Sequence, residues 1–238
     1  MLAGTQTFAA VDTTTEACSA ALYHNGEFTF RYIEEPRAHA KTLLPMLDEL
    51  TRKAGIGPQE LEGIAFGRGP GAFTGVRIAT AAAQAIALAA DTDIVPVSTL
   101  MAIAQRCYRE HGHQKVAVAI DARMGEVYWG AFDNLQLDAR LVGEELVCAP
   151  SLVPTLDRSW IAAGTGWQSY SEQLVHNKTV RFSAIAPYPH ALDVLQLALN
   201  KFATGETVSP AEAKPVYLRN NVAKTEAQRL QEKEGNAP

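Results

Sequence analysis

Apolar runs and turn residues alternate at the start of the chain, and this alternation predicts strands. Runs rich in apolar and β-branched residues at 7–12, 17–23 and 27–33 have the length of buried or half-buried strands. Asn25 and Gly26 separate the last two runs, and this dipeptide favours a two-residue hairpin turn because both residues tolerate positive φ. The chain is therefore predicted to open with a β-meander.

Helical periods follow the meander. Leucines recur about one helical turn apart over residues 38–54, and an alanine-rich segment at 74–90 predicts a second helix. Short apolar runs at 63–66 and 94–97 predict strands, and residues 99–109 predict a third helix. The order β-β-β-α-β-α-β-α is typical of a mixed sheet covered by helices, so an α/β fold is expected.

The second half of the chain repeats the plan of the first. An apolar run that ends in aspartate occurs at residues 8–12 and again at 116–121, and a return strand follows each run, at 18–22 and at 127–132. Chance similarity is the alternative explanation, since any two buried hairpins share one pattern. We favour internal duplication, which predicts two lobes of the same topology.

This duplication predicts the domain organisation. Residues 1–98 form an N-terminal lobe, and residues 99–219 form a reduced C-terminal lobe with a strand at 141–147 and a helix at 190–202. Residues 220–238 are charged and carry almost no large apolar side chains, which predicts a mobile tail.

The helix predicted at 74–90 is unusually apolar. Its polar stripe consists of Arg77, Thr80 and Gln84, and small or apolar side chains cover nearly all of the remaining circumference. We expect such a helix to be buried almost all round. Either the other layers of this chain or another subunit supplies the cover, and the sequence leaves both explanations open.

A glycine-rich turn precedes that helix and contains Gly69, Pro70, Gly71 and Gly75. Its backbone amides could hold an anion, but the spacing fits neither a P-loop nor a dinucleotide-binding fingerprint. We favour the interpretation that the glycines let the backbone pass close to a neighbouring strand, while Thr74 caps the helix.

Two aspartates, Asp12 and Asp121, end equivalent strands in the two repeats. Open α/β sheets place ligand-binding groups at the carboxyl ends of strands, so facing lobes could hold a nucleotide near these residues and Arg123. A phosphate-gripping turn of the actin and sugar-kinase kind usually reads Asp-x-Gly-x-Thr, and both turns lack that glycine. The pattern predicts a vestigial nucleotide cleft. An ATP-dependent small-molecule kinase that uses both aspartates around Mg²⁺ is the second hypothesis.

Other patterns of catalytic chemistry are missing from the sequence. The six histidines include no His-x-x-x-His pair, so no metal site is predicted, and no Gly-x-Ser-x-Gly nucleophile elbow occurs. The three cysteines are far apart, which is typical of reduced thiols in the cytosol.

Charge and hydropathy limit the partners. With a net charge of -5 over 238 residues the chain as a whole repels phosphate backbones, so a role on nucleic acid needs a basic partner. The N-terminus lacks the pattern of a secretory signal, and the most apolar stretch, 78–90, is shorter than the roughly 20 residues that span a bilayer. We expect a cytoplasmic protein without a membrane segment.

Several motifs occur together in one order. They are Val-Asp-Thr-Thr-Thr at 11–15, His39 with Leu-Leu-Pro at 43–45, Gly-Pro-Gly-Ala-Phe-Thr-Gly-Val-Arg-Ile at 69–78, Asp-Ala-Arg-Met-Gly-Glu-Val-Tyr at 121–128 and Pro-Val-Tyr-Leu-Arg at 215–219. Over residues 7–219 the chain resembles the TsaB family, also called YeaZ. The resemblance implies an actin, sugar-kinase and Hsp70-like (ASKHA) fold of two duplicated βββαβα-type lobes, the second reduced.

The resemblance also implies a function. TsaB proteins are required in bacteria to form N6-threonylcarbamoyladenosine at position 37 of tRNAs that read codons beginning with A. A noncatalytic scaffold subunit is implied, because the paralogue TsaD, which carries a metal-binding histidine pair, transfers the threonylcarbamoyl group and the ATPase TsaE joins them. No intrinsic cofactor is implied; ATP or ADP would bind at the assembled complex, and tRNA would meet this chain only through that complex.

The family resemblance finally implies a partner surface. TsaB pairs with TsaD through two helices of the N-terminal lobe, and homodimers form through an overlapping surface. The implied interface positions are His39, Leu43 and Leu47 on the first helix, with Phe73, Arg77, Thr80 and Gln84 on the second.

Overall fold

A computed structural model describes residues 6–136, 138–157, 159–174, 180–185 and 187–219. In chain order the elements are β1 (Thr7–Asp12), β2 (Ala17–His24), β3 (Glu27–Glu34), α1 (His39–Ala54), β4 (Gly63–Gly67), α2 (Phe73–Ala90), β5 (Ile94–Val97), α3 (Thr99–His111), β6 (Val116–Arg123), β7 (Glu126–Asp133), β8 (Arg140–Cys148), β9 (Trp160–Ala163), α4 (Gly166–Ser169), α5 (Ser171–Leu174), β10 (Val180–Ile185) and α6 (Ala191–Thr204). The predicted tail, residues 220–238, lies outside the described residues.

The two sheets have the same strand order, which confirms the internal duplication. The first is ordered β3-β2-β1-β4-β5 and the second β8-β7-β6-β9-β10. In each, the first three strands in sequence pair antiparallel and the last two join the sheet in parallel. The predicted α/β fold of the actin, sugar-kinase and Hsp70-like kind is therefore confirmed.

The second lobe is the reduced one, as predicted. In the first lobe the helix α1 connects the third and fourth strands, and the long helix α2 connects the fourth and fifth. At the equivalent places the described part of the second lobe has a 3₁₀ turn after β8 and only the four-residue helices α4 and α5 after β9. The second lobe therefore keeps the strand order of the first, but its connecting helices are shorter.

Helices and sheets alternate in layers. One face of the first sheet packs against apolar side chains of α1 and α2, and the other face packs against α6. The second sheet packs one face against α3 and the other against Trp167 of α4, Leu174 of α5 and the segment that contains Val153 and Leu156. The helices α3 and α6 thus form the layer between the two sheets.

The end of the chain returns to the first lobe. Helix α6 covers the inner face of the first sheet, where Phe8, Ala10 and Val95 lie buried. Farther on, Val208 N donates to Ile94 O at 2.9 Å and Val216 N donates to Arg68 O at 2.7 Å. The prediction assigns residues 99–219 to the second lobe. Helix α6 and the residues after it pack on the first lobe instead, because burial removes the apolar inner face of the first sheet from water.

Two turns show why the sequence folds this way locally. Asn25 and Gly26 both have positive φ, at 52° and 86°, and they join β2 to β3 as the dipeptide predicts. Gly55 ends α1 in the left-handed region, with φ of 73°, where residues other than glycine are strained. These turns fix the meander and the start of the connection into β4.

Helix α2 is covered on one side only. Its buried residues recur with each helical turn and are Gly75, Val76, Ala79, Thr80, Ala83 and Ala87. Leu88, on the opposite side, is 71% exposed, and Phe73, the first residue of the helix, is 55% exposed. The expectation of burial almost all round is therefore wrong for this chain taken by itself. Alanines occupy most of the outer face, and each exposes little apolar area to water.

By length and composition alone, α2 is apolar enough to cross a membrane. The structure gives it another place, since Ala79, Ala83 and Ala87 pack into the core between α2 and the first sheet. Helix α2 is therefore a layer of the folded lobe, as the sequence predicts when it assigns no membrane segment to 78–90.

Candidate functional site

The glycine-rich turn packs directly on the turn that follows β1. Ala72 N donates to Thr14 O at 2.8 Å, and Thr13 Oγ1 donates to Gly75 O at 2.7 Å. A β-carbon at Gly71 would clash with the carbonyl oxygen of Thr14, and one at Gly75 with that of Thr13. The predicted close backbone approach is confirmed, and its partner is the turn after β1.

The predicted cap of α2 is wrong. The helix begins at Phe73, its N-cap residue is Ala72, and no side chain caps it. Thr74 is exposed, one residue inside the helix. The N-cap therefore lies two residues before the predicted one, at Ala72, whose N donates to the carbonyl oxygen of Thr14.

The same turn lies where the two lobes meet. Thr99 N, at the start of α3, donates to Gly69 O at 3.0 Å. Glu145 of β8 accepts a hydrogen bond from Ser98 Oγ and pairs with Arg68 NH2 at 3.2 Å. Contacts from β8 and α3 therefore tie the second lobe to the turn that leads into α2.

Asp12 is sealed inside the first lobe. Thr14 donates to Asp12 Oδ1 from its backbone N at 3.0 Å and from its Oγ1 at 2.9 Å, and the carboxyl group has no exposed surface. A β-carbon at Gly67 would clash with Asp12 Oδ2, so only glycine fits there. Burial raises the pKa of Asp12 to about 7, although the hydrogen bonds from Thr14 act to lower it.

A cleft of about 440 Å³ separates the lobes. Its walls include Thr14, Thr15, Glu16, Phe73, Asp121, Arg123, Tyr128, Thr165, Tyr188, Tyr217 and Arg219. Asp121 and Arg123 thus lie in the cleft as predicted. Asp12 does not line it, which corrects the predicted pair of facing aspartates: β1 ends in a turn that the glycine-rich segment covers, whereas the end of β6 stays open.

The acidic groups of the cleft are already engaged. Asp121 Oδ1 accepts from Arg123 N at 2.8 Å and from Tyr170 OH at 3.2 Å, and Asp121 Oδ2 pairs with Arg123 NH1 at 3.1 Å. Arg123 NH2 also pairs with Glu16 Oε1 of the first lobe at 3.3 Å. Both carboxylates are thus tied to one arginine, and neither is an obvious free base.

Other nucleophiles and metal ligands are poorly placed. Burial raises the pKa of the thiols of Cys18, Cys107 and Cys148, and a thiol needs a lowered pKa to act as a nucleophile near neutral pH. Among the described residues no three or more His, Cys, Asp or Glu side chains are grouped so that they could hold a metal ion.

Most of the implied interface positions lie inside the fold. Leu43 is 1% exposed and Leu47 is 6% exposed, because both face the first sheet. His39 is buried and its Nε2 bonds Thr15 O at 2.9 Å, while buried Thr80 donates to Val76 O. These four side chains are therefore not surface positions of this chain, and their assignment to a partner interface is corrected.

The remaining three implied positions are more accessible. Gln84 is half-buried and its Nε2 donates to Pro210 O at 3.0 Å and to Ala213 O at 3.1 Å, so it holds the C-terminal segment. Phe73 and Arg77 are exposed. Their guanidinium and ring stack, with Arg77 Cζ 3.4 Å from the Phe73 centroid and 5.6 Å from that of Tyr217.

Sequence reasoning missed the exposed leucines of the two helices. Leu44 on α1 is 53% exposed and Leu88 on α2 is 71% exposed. The signal was present for Leu44, because it follows Leu43 directly and adjacent helical residues point about 100° apart. Leu44 and Leu88 thus expose apolar side chains on α1 and α2 away from the cleft, whereas Phe73 and Tyr217 line the cleft.

Known families resemble this chain over most of its length. The family model described as TsaD, tRNA N6-adenosine threonylcarbamoyltransferase, matches residues 34–227. The tRNA threonylcarbamoyladenosine biosynthesis protein TsaB of Escherichia coli K12 is 41% identical over 222 residues, which cover 90% of this chain and 95% of that protein. The TsaB protein of Haemophilus influenzae is 39% identical, over 91% and 94% of the two chains.

Solved structures agree. A Pseudomonas aeruginosa protein described as similar to the peptidase YEAZ is 47% identical with a TM-score of 0.85, and the match covers 90% of this chain and all of that one. A second structure, YeaZ from Pseudomonas aeruginosa, is 46% identical with a TM-score of 0.82 and the same coverage.

Proposed function

Because this chain belongs to the TsaB (YeaZ) family, we propose that it is the noncatalytic scaffold subunit of the bacterial complex that forms N6-threonylcarbamoyladenosine in tRNA. It holds the catalytic paralogue TsaD in an active state by pairing with it through α1 and α2. The family model named for TsaD, which matches residues 34–227, supports a common architecture for the two subunits.

The exposure of the outer face of α2 is the observation that best supports this proposal. Six residues of the helix are buried against the first sheet, while Phe73 and Leu88 at its two ends are more than half exposed. Small residues lie between these ends, including exposed Ala81 and Ala85. An outer face built largely of alanines suits a helix of another subunit, since small residues let two helices approach closely.

The cleft supports the noncatalytic part of the proposal. Asp12 is sealed away from the cleft, and Asp121 is bound to Arg123 and Tyr170. A kinase that uses both aspartates around Mg²⁺ would need them in one cavity, so the second hypothesis is not favoured. The raised pKa of each thiol also leaves the chain without an activated cysteine.

The rest of the assembly follows from the family. We propose that TsaE joins the pair and that ATP or ADP binds at the assembled complex. We also propose that tRNA contacts this chain only within that complex. A net charge of -5 supports the last point, because the chain by itself repels RNA. Without TsaD, a second copy would occupy an overlapping surface, and the whole cycle would take place in the cytoplasm.

Reconstitution tests the function. Purified TsaD, TsaE and tRNA are incubated with threonylcarbamoyl-adenylate, with and without this chain, and the modified nucleoside is measured by mass spectrometry. We expect product only when TsaD and this chain are both present. Full-rate formation without this chain would contradict the scaffold role, and product from this chain and tRNA without TsaD would contradict the noncatalytic role.

A further inference from the structure

The two helices proposed as the partner surface each carry one more basic than acidic side chain, in a chain whose net charge is -5. Helix α2 carries one charged side chain, Arg77, and no acidic one. Helix α1 carries three basic and two acidic side chains. One of those acids, Glu49, is already paired with Arg31 at 2.6 Å and with Lys53 at 2.7 Å, which leaves Asp48.

Arg77 is held in place without a carboxylate partner. Its guanidinium lies 3.4 Å from the Phe73 centroid, and Tyr217 flanks it at 5.6 Å. Within the described part of the chain no ion pair joins Arg77 to a carboxylate. A stacked guanidinium keeps its N–H groups free at the edge, where they match a planar carboxylate in a two-bond arrangement.

Covering α2 removes water from this cation. A buried charge without an opposite charge costs several kcal/mol, and truncating one partner of a buried pair costs a similar amount. Helix α2 offers no acidic side chain, and among the described residues no carboxylate forms an ion pair with Arg77. We infer that the partner presents a carboxylate to Arg77 from an acidic surface. This inference rests on the proposed function.

The same charge discriminates against a second copy of this chain. A symmetric pair of α2 helices would cover both copies of Arg77 and supply no acidic residue from either helix. An unpaired charge at a buried contact is one way in which interfaces reject a wrong partner. Arg77 therefore favours the acidic partner over the homodimer.

The test compares charge variants of the full chain. The Kd for TsaD is measured by calorimetry at low and high salt for the wild type, Arg77→Gln and Arg77→Glu, with Arg181→Glu, at an exposed arginine of the second lobe, as the matched control. We expect Arg77→Gln to weaken binding about tenfold or more and Arg77→Glu to weaken it further. Arg77→Gln should also reduce the salt dependence of Kd and leave homodimer formation as strong or stronger, while Arg181→Glu changes neither.

Thermal melting checks that the variants fold. Arg77 is exposed, so both variants should melt with the wild type. If TsaD binds the wild type and both Arg77 variants with equal Kd, or if Arg77→Glu binds no worse than Arg77→Gln, no carboxylate faces Arg77 and the inference alone is overturned. If the wild type does not bind TsaD at all, both the proposed function and this inference are contradicted.

Discussion

Asp12 shows how far one residue can depart from its usual chemistry. Its carboxyl group has no exposed surface, and among the described residues it accepts hydrogen bonds from Thr14 and forms no ion pair. Burial raises its pKa from 3.8 to about 7 in the folded protein. Because the unfolded chain keeps the ordinary pKa, this group's contribution to stability is fully present below about pH 4 and is lost as the pH rises through about 7.

The variant Asp12→Asn should remove that loss, since an amide does not titrate. Between about pH 5 and pH 8, the free energy of unfolding of the wild type should fall by about 2–3 kcal/mol more than that of the variant. Urea unfolding at the two pH values measures the difference. Asp48→Asn on the exposed side of α1 is the control and should follow the wild type. An identical pH dependence of wild type and Asp12→Asn would contradict the account of Asp12.

Sequence alone could locate Asp12 but could not predict its burial. Periodicity places both Asp12 and Asp121 at strand ends, and the structure confirms those places. Asp12 is sealed by Gly67 and by the glycine-rich turn, which are distant in sequence, so no local pattern carries the information. Asp121 lines the cleft, and of the described residues that follow β9, Thr165 and Tyr170 form hydrogen bonds with it.

At the scale of elements, the sequence predicts where α2 begins and ends, but it does not predict which side of the helix is exposed. Residues 74–90 were predicted to be helical, and the helix spans Phe73–Ala90. Alanine occurs on every side of this helix, so the apolar pattern does not reveal which side meets the sheet. In α1, where larger leucines alternate with charged residues, the buried side follows the pattern except at Leu44.

Substitutions at two alanines of α2 distinguish an effect on folding from an effect on assembly. Ala83 is fully buried against the first sheet, and Ala85 is exposed on the outer face. We expect Ala83→Glu to destabilise the fold by several kcal/mol, because it buries a charge without a partner. Ala85→Glu should leave the melting temperature within about 2 °C of the wild type. Thermal melts by circular dichroism measure both.

The control for this pair is Ala203→Glu on the exposed side of α6, which should also melt with the wild type. Equal melting of Ala83→Glu and Ala85→Glu would mean that α2 does not pack on the sheet by the side described here.

At the scale of the whole molecule, the repeat in the sequence predicts two lobes, and the matching strand orders confirm them. The path of the last part of the chain could not be predicted, because α6 has the same apolar pattern whichever sheet it covers. Local sequence patterns also do not predict the contacts between the lobes. Glu145, for example, meets Ser98 and Arg68 only when the folded lobes lie side by side.

Assembly is likewise a property of the whole molecule. Arg123 pairs with Glu16 and Asp121 in the cleft between the lobes, while the first lobe exposes Leu44 and Leu88 outside the cleft. We therefore propose that the function belongs to an outer surface of the first lobe and not to the cleft.

The mass of the species that this chain forms with TsaD tests that claim most directly. Sedimentation of equimolar mixtures should show a one-to-one heterodimer for the wild type and for Ala203→Glu, and separate subunits for Ala85→Glu. A wild-type mixture that sediments as separate subunits, or an Ala85→Glu mixture that forms the same heterodimer, would contradict it.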